Sequence, residues 1–451
     1  MGLHRPYRAL LIAGLQNLGL TPQAILCRPF RAPEKCNQNL LNKGCPGNEH
    51  LSAPIPEGAR AVRPYESTTA RKHDCTSPRS GLLNMLESSI KVNTDILIIG
   101  AGFAGASTAF HLSQGLSESI LVIEKEEIPG FHASGRNASL VLQSTANPHI
   151  RQAVAASRRA YQEHAAAVGF KQNGSLLIGR KTLLEPTRQP GLITSEYFEP
   201  KDVTRQIPFL KGHEFEAALW TPSDGVMDIS SLLHFYLQGS RDRKVEFRFD
   251  CQLLDVTGTG PYQVETSQGT IEAGYLIDAA GAWISRVAQL ADSANLQLPA
   301  LKRHLFVLDD IPDLDPGQPF VWSLSENFYF RPESGGLLFS ICDEEESTSL
   351  EPTVSPDISQ SLAELVWRQL PALREATQRE VWSCFRTKAP DNSFVIGWDT
   401  RWDHLFWVGG LGGHGMGASW EIGRLAAERF LNPKSGRQQA FDPARFEKTL
   451  V

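Results

Sequence analysis

Three glycines with the spacing GxGxxG, at Gly100, Gly102 and Gly105, have the arrangement that lets a backbone bind a dinucleotide. They lie between two short apolar runs, and the second run ends at Glu124. The first glycine permits a tight turn, the second lets the backbone approach a pyrophosphate, and the third lets a helix pack on the preceding strand. A carboxylate about 20 residues further on binds a ribose hydroxyl in such units. The segment therefore predicts a nucleotide site in a strand–helix–strand unit.

Two later segments also expose their backbone. Residues 275–283 read YLIDAAGAW, and small residues after a buried strand let the chain pass close to a ligand, although an ordinary strand-to-helix turn is an alternative interpretation. Residues 405–417 read LFWVGGLGGHGMG, an apolar strand and then a loop that presents N–H groups and a helix N-terminus. Because a nicotinamide enzyme needs only the first motif, three such segments indicate a larger and permanently held dinucleotide, FAD.

The elements that would position these segments are strands and helices in alternation. Helical spacing is predicted over 148–168, 230–238, 358–369 and 419–430, strands over 172–180, 244–256, 262–266 and 270–278, and a turn at 225–228. The predicted fold class is α/β, a Rossmann-like FAD-binding domain interleaved with an antiparallel β-rich substrate domain. The FAD-binding domain is predicted from residues 93–171, 242–300 and 380–451, and the substrate domain from 172–241 and 301–379.

Residues 1–92 are predicted to be an extension outside both domains. The first 84 residues hold eleven Lys/Arg against five Asp/Glu and four of the seven cysteines, whereas the whole chain has a net charge of −6. A disordered tail, a transit peptide and upstream sequence that the native protein lacks are the alternatives. The last of these makes Met85 the natural start, ten residues before the first predicted strand.

The remaining composition argues against several functional classes. The other cysteines, Cys251, Cys342 and Cys384, lack the spacing of metal ligands. No basic stripe favours nucleic acid, and no run of 18 apolar residues favours a membrane span. We therefore predict a cytoplasmic enzyme with no metal, no nucleic-acid partner and no transmembrane segment.

Five motifs together resemble one known family. The glycine motif, GFHASGRNAS at 130–139, DGVMD at 224–228, LIDAAGAW at 276–283 and FWVGGLGGHGMGAS at 406–419 occur in the order and spacing of the D-amino acid oxidase family of flavoproteins. The similarity covers roughly residues 93–430. PGFHASGRNAS, SENFYFRPESGGLLFS and FRTKAPDNSFVIG look most like the D-arginine dehydrogenase branch, and some features resemble sarcosine oxidases.

The resemblance implies FAD as the cofactor and a set of contacts along it. The pyrophosphate would be held by Gly100, Gly102, Ala104 and Gly105, the adenosine ribose by Glu124 and Lys125, and the adenine by Leu253. The pyrophosphate and the flavin ring would be lined by Ala133, Ser134, Gly135, Arg136, Asn137, Ala138, Ser139 and Leu140, and the dinucleotide would lie against Ala280 and Trp283. The flavin pyrimidine ring would face Gly412, Gly413, His414, Gly415, Met416 and Gly417. A helix N-terminus behind the last loop would stabilise the negative charge of reduced flavin.

The resemblance also implies the reaction, in which a hydride passes from the substrate Cα–H to flavin N5 and the resulting imine hydrolyses to a 2-oxo acid. Arg386 and Tyr329 match the family's carboxylate-binding positions, and Arg303 matches a second arginine position in a less certain register. An arginine fork binds a carboxylate bidentately. The predicted partners are a small amine or amino acid and an electron acceptor, either oxygen or a quinone.

Several positions depart from the D-arginine dehydrogenase pattern. Leu140 stands where that branch has a histidine over the flavin, Thr145 where it has a lid tyrosine, and Gly174 where it has the acid that meets a cationic side chain. Because an unpaired guanidinium is costly to bury, D-arginine and D-lysine are predicted to be poor substrates. His132 is a candidate to replace the missing histidine, with a structural loop histidine as the alternative.

Cys384 matches the cysteine that carries flavin covalently in monomeric sarcosine oxidases, whereas Gly417 replaces their lysine near the substrate. We favour the alternative, in which Cys384 is an unreactive buried thiol and FAD is bound non-covalently.

Other functions are compatible with the same flavin site. Oxidation of an N-modified glycine, of a polyamine-like amine or of a modified base in tRNA is the enzymatic alternative. A flavin-binding scaffold without catalysis is the alternative of another class, since function lies in the site and not in the fold.

Overall fold

The computed structural model describes residues 91–293, 296–311, 313–433 and 440–449. The predicted extension lies outside the described residues except at its last two positions. The strands, numbered in chain order, are β1 Val92–Ile99, β2 Ile120–Ile123, β3 Leu140–Val141, β4 Phe170–Lys171, β5 Ser175–Gly179, β6 Glu196–Phe198, β7 Ala217–Thr221, β8 Gly225–Met227, β9 Glu246–Arg248, β10 Leu253–Thr257, β11 Tyr262–Thr266, β12 Gly269–Asp278, β13 Ala300–Asp309, β14 Phe320–Ser323, β15 Phe328–Glu333, β16 Gly336–Ser340, β17 Glu345–Glu346, β18 Thr377–Thr387, β19 Val395–Trp398 and β20 Leu405–Gly409.

The helices connect these strands and pack on both large sheets. They are α1 Phe103–Leu112, α2 Pro148–Glu163, α3 Ala165–Val168, α4 Lys181–Leu184, α5 Pro200–Gln206, α6 Ile229–Arg241, α7 Ile284–Leu290, α8 Ile358–Gln369 and α9 Ser419–Leu431, with short 3₁₀ turns at Glu185–Thr187, Pro208–Leu210, Gly281–Trp283, Pro371–Leu373 and Pro443–Thr449. Among the described residues, no helix is both long enough and apolar enough to cross a bilayer.

The first sheet has the strand order β10-β11-β12-β1-β2-β9, with β20 beside β12 and β19 beside β20. β1 runs parallel to both β2 and β12, and β12 runs parallel to β20. The strands β2 and β20 are buried along their whole length, which explains their continuous aliphatic and aromatic sequences. The parallel sheet confirms the Rossmann-like part of the predicted fold.

Helices α1 and α9 cross on one face of this sheet in close contact. Both helices are rich in small residues, and a side chain added at Gly423 of α9 would meet the carbonyl oxygen of Ser107 in α1. Gly105 lets α1 in turn approach the end of β1, because a Cβ at Gly105 would overlap the carbonyl oxygen of Gly100. Glycine here lets helix and strand approach closely, as the glycine motif predicts.

The second sheet is built mainly from antiparallel strands in the order β17-β13-β16-β15-β14-β5-β7-β6, with β18 beside β13. β13 and β18 pair over their whole length, which sets Arg303 opposite Cys384 and Leu301 opposite Arg386. A phenylalanine-rich core packs this sheet against α8, and it includes Phe328, Phe330 and Phe339. The sheet confirms the predicted β-rich part. The predicted domain boundaries stay a prediction, and β18 crosses the one at residue 380.

Three local predictions differ from the structure. The strand predicted over 172–180 is β5 and begins only at Ser175, because the preceding Gly174 has φ +79°. The turn predicted at 225–228 is the short strand β8, and it pairs with β3 and β4 in a small third sheet. The strand predicted over 244–256 is broken at Asp250, which has φ +54°. In all three cases tertiary pairing or a left-handed residue overrides the local apolar pattern.

Candidate active site

One cavity lies between the two large sheets. It is lined by residues at or just beyond the carboxyl ends of parallel strands, including Ile99 and Ala279, and by Leu305, Tyr329 and Cys384 of the second sheet. Ligands of open α/β sheets bind at the carboxyl ends of the strands, so this cavity is the expected place for a dinucleotide.

The glycine motif forms one wall of this cavity. Gly100 has φ +102°, and a Cβ there would approach the carbonyl oxygen of Ala279 to 2.7 Å. A Cβ at Gly102 would approach the hydroxyl of Ser134 to 2.8 Å, and that hydroxyl accepts the N–H of Phe103 at the start of α1. The turn is therefore a bare backbone surface at a helix N-terminus, which suits a pyrophosphate.

Glu124 follows β2 and is 9% exposed in the cavity wall. Its carboxylate accepts N–H groups from Ala101 at 2.9 Å and from Glu126 at 3.1 Å. Burial raises the pKa of Glu124, although these two hydrogen bonds oppose the rise. A carboxylate has about four acceptor positions, so Glu124 fixes the glycine turn and keeps capacity for ribose hydroxyls.

A charged aromatic cluster lies beside Glu124; it combines the predicted cofactor residues Lys125 and Trp283 with Glu126 and His132, which the sequence motifs did not assign to the cofactor. Glu126 accepts hydrogen bonds from Lys125 and His132, both at 2.7 Å. The ammonium of Lys125 lies 4.1 Å from the Trp283 ring, whose centroid is 4.5 Å from that of His132. Because His132 bonds Glu126 at this end of the cavity, the structure favours its alternative as a structural loop histidine. The sequence signal that could have indicated this cluster was the combination of basic and aromatic residues around the 130–139 loop.

Most of the predicted cofactor residues line the cavity: Gly100, Gly102, Ala104, Glu124, Lys125, Ala133, Ser134, Arg136, Asn137, Ala138, Leu140, Leu253, Ala280, Trp283, Gly412, Gly413, His414, Gly415 and Met416. Four others lie just outside it, namely Gly105, Gly135, Ser139 and Gly417. Gly105 and Gly135 instead allow close backbone packing, against Gly100 and Gly130 respectively. The lining also contains residues that the sequence did not single out, including Phe131, Cys251, Arg286, Leu142, Trp322 and Pro352.

Arg386 and Tyr329 meet where β18 and β15 of the second sheet line the cavity. The Arg386 guanidinium donates to the Tyr329 hydroxyl at 3.4 Å, and both residues line the cavity. Burial raises the pKa of Tyr329, so its phenol keeps its proton and remains a donor. Within the described chain, this is the one hydrogen bond of the Arg386 side chain, so the remaining guanidinium donors are available to a ligand.

Arg303 does not reach the cavity lining. Its guanidinium donates to the carbonyl oxygen of Asp343 at 2.6 Å and to the carboxylate of Glu344 at 2.7 Å. Lys388 donates to the same carboxylate at 2.6 Å. The structure thus brings Arg386 and Tyr329 together and gives Arg303 an acidic partner of its own.

The glycine-rich loop closes the cavity beside Arg386. A Cβ at Gly413, where φ is +94°, would lie 2.8 Å from the Arg386 guanidinium carbon. Among the described residues, no protein atom accepts the N–H groups of Gly413, Gly415, Met416 and Gly417. Burial and the nearby cations Arg386 and Lys388 lower the pKa of His414 to about 4, so its imidazole is neutral near pH 7. The loop offers free backbone donors and no added charge.

The family model for FAD dependent oxidoreductases, abbreviated DAO, matches residues 95–429, well over half of the chain. The chain belongs to this family. Its cofactor is FAD, and the bare glycine turn, the buried carboxylate after β2 and the unpaired loop N–H groups fit that cofactor. The fold class and the flavin, both predicted from the motifs, are confirmed.

Several characterised proteins resemble the chain. It is 25% identical to mitochondrial dimethylglycine dehydrogenase of Homo sapiens over 59% of this chain and 32% of that protein. It is 25% identical to peroxisomal sarcosine oxidase of Mus musculus over 78% of this chain and 96% of that protein. The chain thus spans about a third of the length of the human dehydrogenase and nearly all of the murine oxidase.

Solved structures of this family share the fold. L-proline dehydrogenase from P. horikoshii superposes with a TM-score of 0.71 at 20% identity, covering 80% of this chain and 99% of that one. Glycine oxidase from Bacillus cereus superposes with a TM-score of 0.66 at 19% identity, covering 77% and 98%.

Two of the positions that depart from the D-arginine pattern lie away from the cavity lining, which corrects the reason for the substrate prediction. Gly174 contacts the Trp220 ring so closely that no side chain fits, and Thr145 binds Arg151 through its carbonyl oxygen at 2.6 Å. Leu140 does line the cavity. Cys384 also lines it, and burial raises the pKa of its thiol, which favours the unreactive form.

Proposed function

We propose that this flavoenzyme oxidises a carbon–nitrogen bond of a small neutral amino acid, with an N-substituted glycine as the preferred class. The observation that carries the proposal is the Arg386 guanidinium, which faces the cavity and has Tyr329 as its hydrogen-bond partner. A guanidinium binds a carboxylate through two parallel hydrogen bonds, so Arg386 would fix one end of the substrate. The Tyr329 phenol would add a third donor to the same carboxylate.

The walls beside Arg386 support the size and polarity of the proposed substrate. Leu140, Leu142, Leu305 and Trp322 line this part of the cavity, and the Trp322 ring lies 4.7 Å from the Tyr329 ring. An apolar wall favours a methyl or methylene group on the substrate and excludes water from the reacting carbon. The dimethylglycine and sarcosine enzymes among the relatives carry the same kind of substrate in their names.

The protein's own contribution is orientation. A bound FAD would supply the acceptor for a hydride from the carbon next to the substrate nitrogen, and the resulting imine would be hydrolysed by water. Arg386 and Tyr329 hold the carboxylate, and the apolar wall turns the C–H bond away from solvent. The neutral imidazole of His414 adds no positive charge beside the substrate amine.

A D-amino acid is the second candidate substrate, because the motifs around 130–139 and 385–397 resemble the D-arginine dehydrogenase branch. Both candidates require the same carboxylate contact. They differ in where the substrate carries its substituent, which is the nitrogen in an achiral glycine derivative and the α-carbon in a D-residue.

Anaerobic reduction of the bound flavin tests the proposal. Purified protein is mixed with sarcosine, N,N-dimethylglycine, glycine, L-proline and D-alanine, and the loss of flavin absorbance is followed by stopped flow. We expect fastest bleaching with an N-methylated glycine and none with sarcosinamide, the matched amine that lacks a carboxylate. Equal rates with sarcosine and sarcosinamide would remove Arg386 from substrate binding. Flavin that no amine reduces would favour the scaffold alternative.

The same preparation identifies the electron acceptor. Reoxidation of reduced enzyme by dissolved oxygen is compared with reoxidation by a soluble quinone. A large excess of the quinone rate over the oxygen rate would assign a dehydrogenase, and the opposite ratio an oxidase.

A further inference from the structure

Three buried hydroxyl groups form a chain behind the glycine-rich loop. The Tyr161 hydroxyl donates to the carbonyl oxygen of Met416 at 2.9 Å and lies 2.8 Å from the Ser419 hydroxyl. The Ser419 hydroxyl lies 2.9 Å from that of Tyr236. All three side chains are fully buried, on α2, α6 and α9. Each hydroxyl has one proton to donate, so Tyr236 can donate to Ser419, Ser419 to Tyr161, and Tyr161 to the Met416 carbonyl.

This chain fixes one peptide unit of the loop. The Met416 carbonyl oxygen receives the Tyr161 hydroxyl and also the N–H of Ser419 at 3.1 Å, so both acceptor positions are used. In a trans peptide the N–H points opposite to the C=O. The N–H of Gly417 must therefore point away from Tyr161. Gly417 itself is outside the cavity lining but directly follows Met416, which lines the cavity, and a Cβ added at Gly417 would lie 3.2 Å from the carbonyl oxygen of Leu140, another lining residue.

We propose that Tyr161 is a positioning residue that aims the Gly417 N–H at the flavin and so makes the flavin easier to reduce. The inference rests on the proposed placement of the flavin pyrimidine ring against residues 412–417. Reduction adds negative charge to that ring, and a preorganised N–H donor stabilises the charge without moving. None of the described protein atoms accepts the Gly417 N–H, so its hydrogen bond is free for a ligand.

The network would also act cooperatively, because a hydroxyl that accepts one hydrogen bond donates a stronger one. The Tyr161 hydroxyl accepts the N–H of Trp420 at 3.3 Å in addition to the Ser419 contact. Its donation to Met416 is thus supported from two sides. Within the described chain, the Tyr236 hydroxyl bonds Ser419 and makes no hydrogen bond to the Met416 carbonyl, so its removal weakens the chain without freeing that carbonyl.

The test compares Tyr161→Phe with Tyr236→Phe, which each delete one buried hydroxyl of the same network. Sulfite adds to flavin more tightly as the flavin becomes easier to reduce, and the titration needs no amine substrate. We expect the sulfite Kd of Tyr161→Phe to rise about fivefold, the effect of losing about 1 kcal/mol from one hydrogen bond, with a matching fall in reduction potential. Tyr236→Phe should stay within about twofold of wild type.

Thermal unfolding and FAD content are recorded for both variants, because a general loss of packing would lower both alike. A sulfite Kd that is unchanged in Tyr161→Phe, or raised equally in Tyr236→Phe, would overturn the proposal. Incorporation of 3-fluorotyrosine at position 161 gives a stronger donor on the same ring and should lower the sulfite Kd; an increase would also contradict the proposal. Absence of amine oxidation would affect the proposed function and leave these titrations interpretable.

Discussion

The Arg386 guanidinium lies between the Tyr329 hydroxyl, the backbone of Gly413 and the open cavity. A buried charge with one neutral partner is unfavourable unless a ligand completes its hydrogen bonds. The neighbouring carboxylate, Glu344, is already bonded to Arg303 and Lys388. At the scale of single residues, these partners distinguish Arg386, which is available to a ligand, from Arg303, which has a structural role.

Replacement of Arg386 by lysine should therefore impair substrate binding although the charge is kept. Lysine cannot form two parallel hydrogen bonds to a carboxylate, so we expect KM for the best substrate to rise about 10- to 100-fold, as for a loss of about 1.5–3 kcal/mol. Steady-state kinetics with the FAD content measured in parallel checks this. The control is Arg379→Lys on the same strand, where Arg379 pairs with Asp309. An equal KM for Arg386→Lys and wild type would contradict the assignment.

At the scale of elements, the sequence predicted those parts of the site that have a local signature. β1, α1 and β2 follow from apolar runs and the glycine spacing, and the loop before α9 from its glycine density. The cavity wall of the second sheet was less predictable. The pairing of β13 with β18, which sets Arg303 opposite Cys384, joins strands nearly 80 residues apart in the chain. No local pattern reports such a register, or the pairing of the Arg303 side chain with Glu344, so both became known only from the structure.

The loop glycine Gly413 is expected to control the position of Arg386. An alanine Cβ there would lie 2.8 Å from the guanidinium carbon, and φ at this residue is +94°. We expect Gly413→Ala to raise KM at least tenfold by displacing the arginine, besides losing about 1 kcal/mol of stability to backbone strain. Gly335→Ala is the matched control, because Gly335 has φ +85° and no atom within 4 Å of the added Cβ. Similar KM values for both variants would attribute the effect to strain alone.

Asp224 connects three elements and makes stability depend on pH. It is fully buried and accepts hydrogen bonds from Gln143 at 2.8 Å and Ser175 at 2.6 Å. Burial raises its pKa from 3.8 to about 6. A raised pKa means that the folded state holds the proton more tightly than the unfolded state, so this stabilising contribution is complete below pH 3.8 and is lost as the pH rises through 6.

Asp224→Asn keeps the shape of the side chain and removes this titration. The free energy of unfolding of wild type, relative to that of the variant, should fall by about 2 kcal/mol between about pH 4 and pH 7. Urea unfolding at a series of pH values measures the difference. A difference that is constant across this range would show that Asp224 does not titrate there.

At the scale of the whole molecule, the chain is acidic and the cavity is not. The net charge is −6, yet the described lining contains Lys125, Arg136, Arg286 and Arg386 against the single carboxylate of Glu124. Glu124 follows β2 of the first sheet and is held by backbone N–H groups, whereas Arg386 lies on β18 of the second sheet. The two sheets thus enclose a space that attracts an anionic cofactor and a carboxylate. Its described lining has no carboxylate besides Glu124 that could pair with a cationic group of a substrate.

Substrates with a cationic side chain should accordingly be poor, for a reason that lies in the cavity as a whole and not at Gly174. A buried ammonium or guanidinium without a carboxylate partner loses hydration that nothing replaces, and it also lies near Arg386. We expect D-lysine to reduce the flavin at least tenfold more slowly than the neutral D-norleucine, and D-arginine than the neutral D-citrulline. Inhibition constants against the best substrate extend the comparison to compounds that are not oxidised. Equal rates or equal inhibition within either pair would mean that the cationic group reaches solvent or an acidic partner outside the cavity lining.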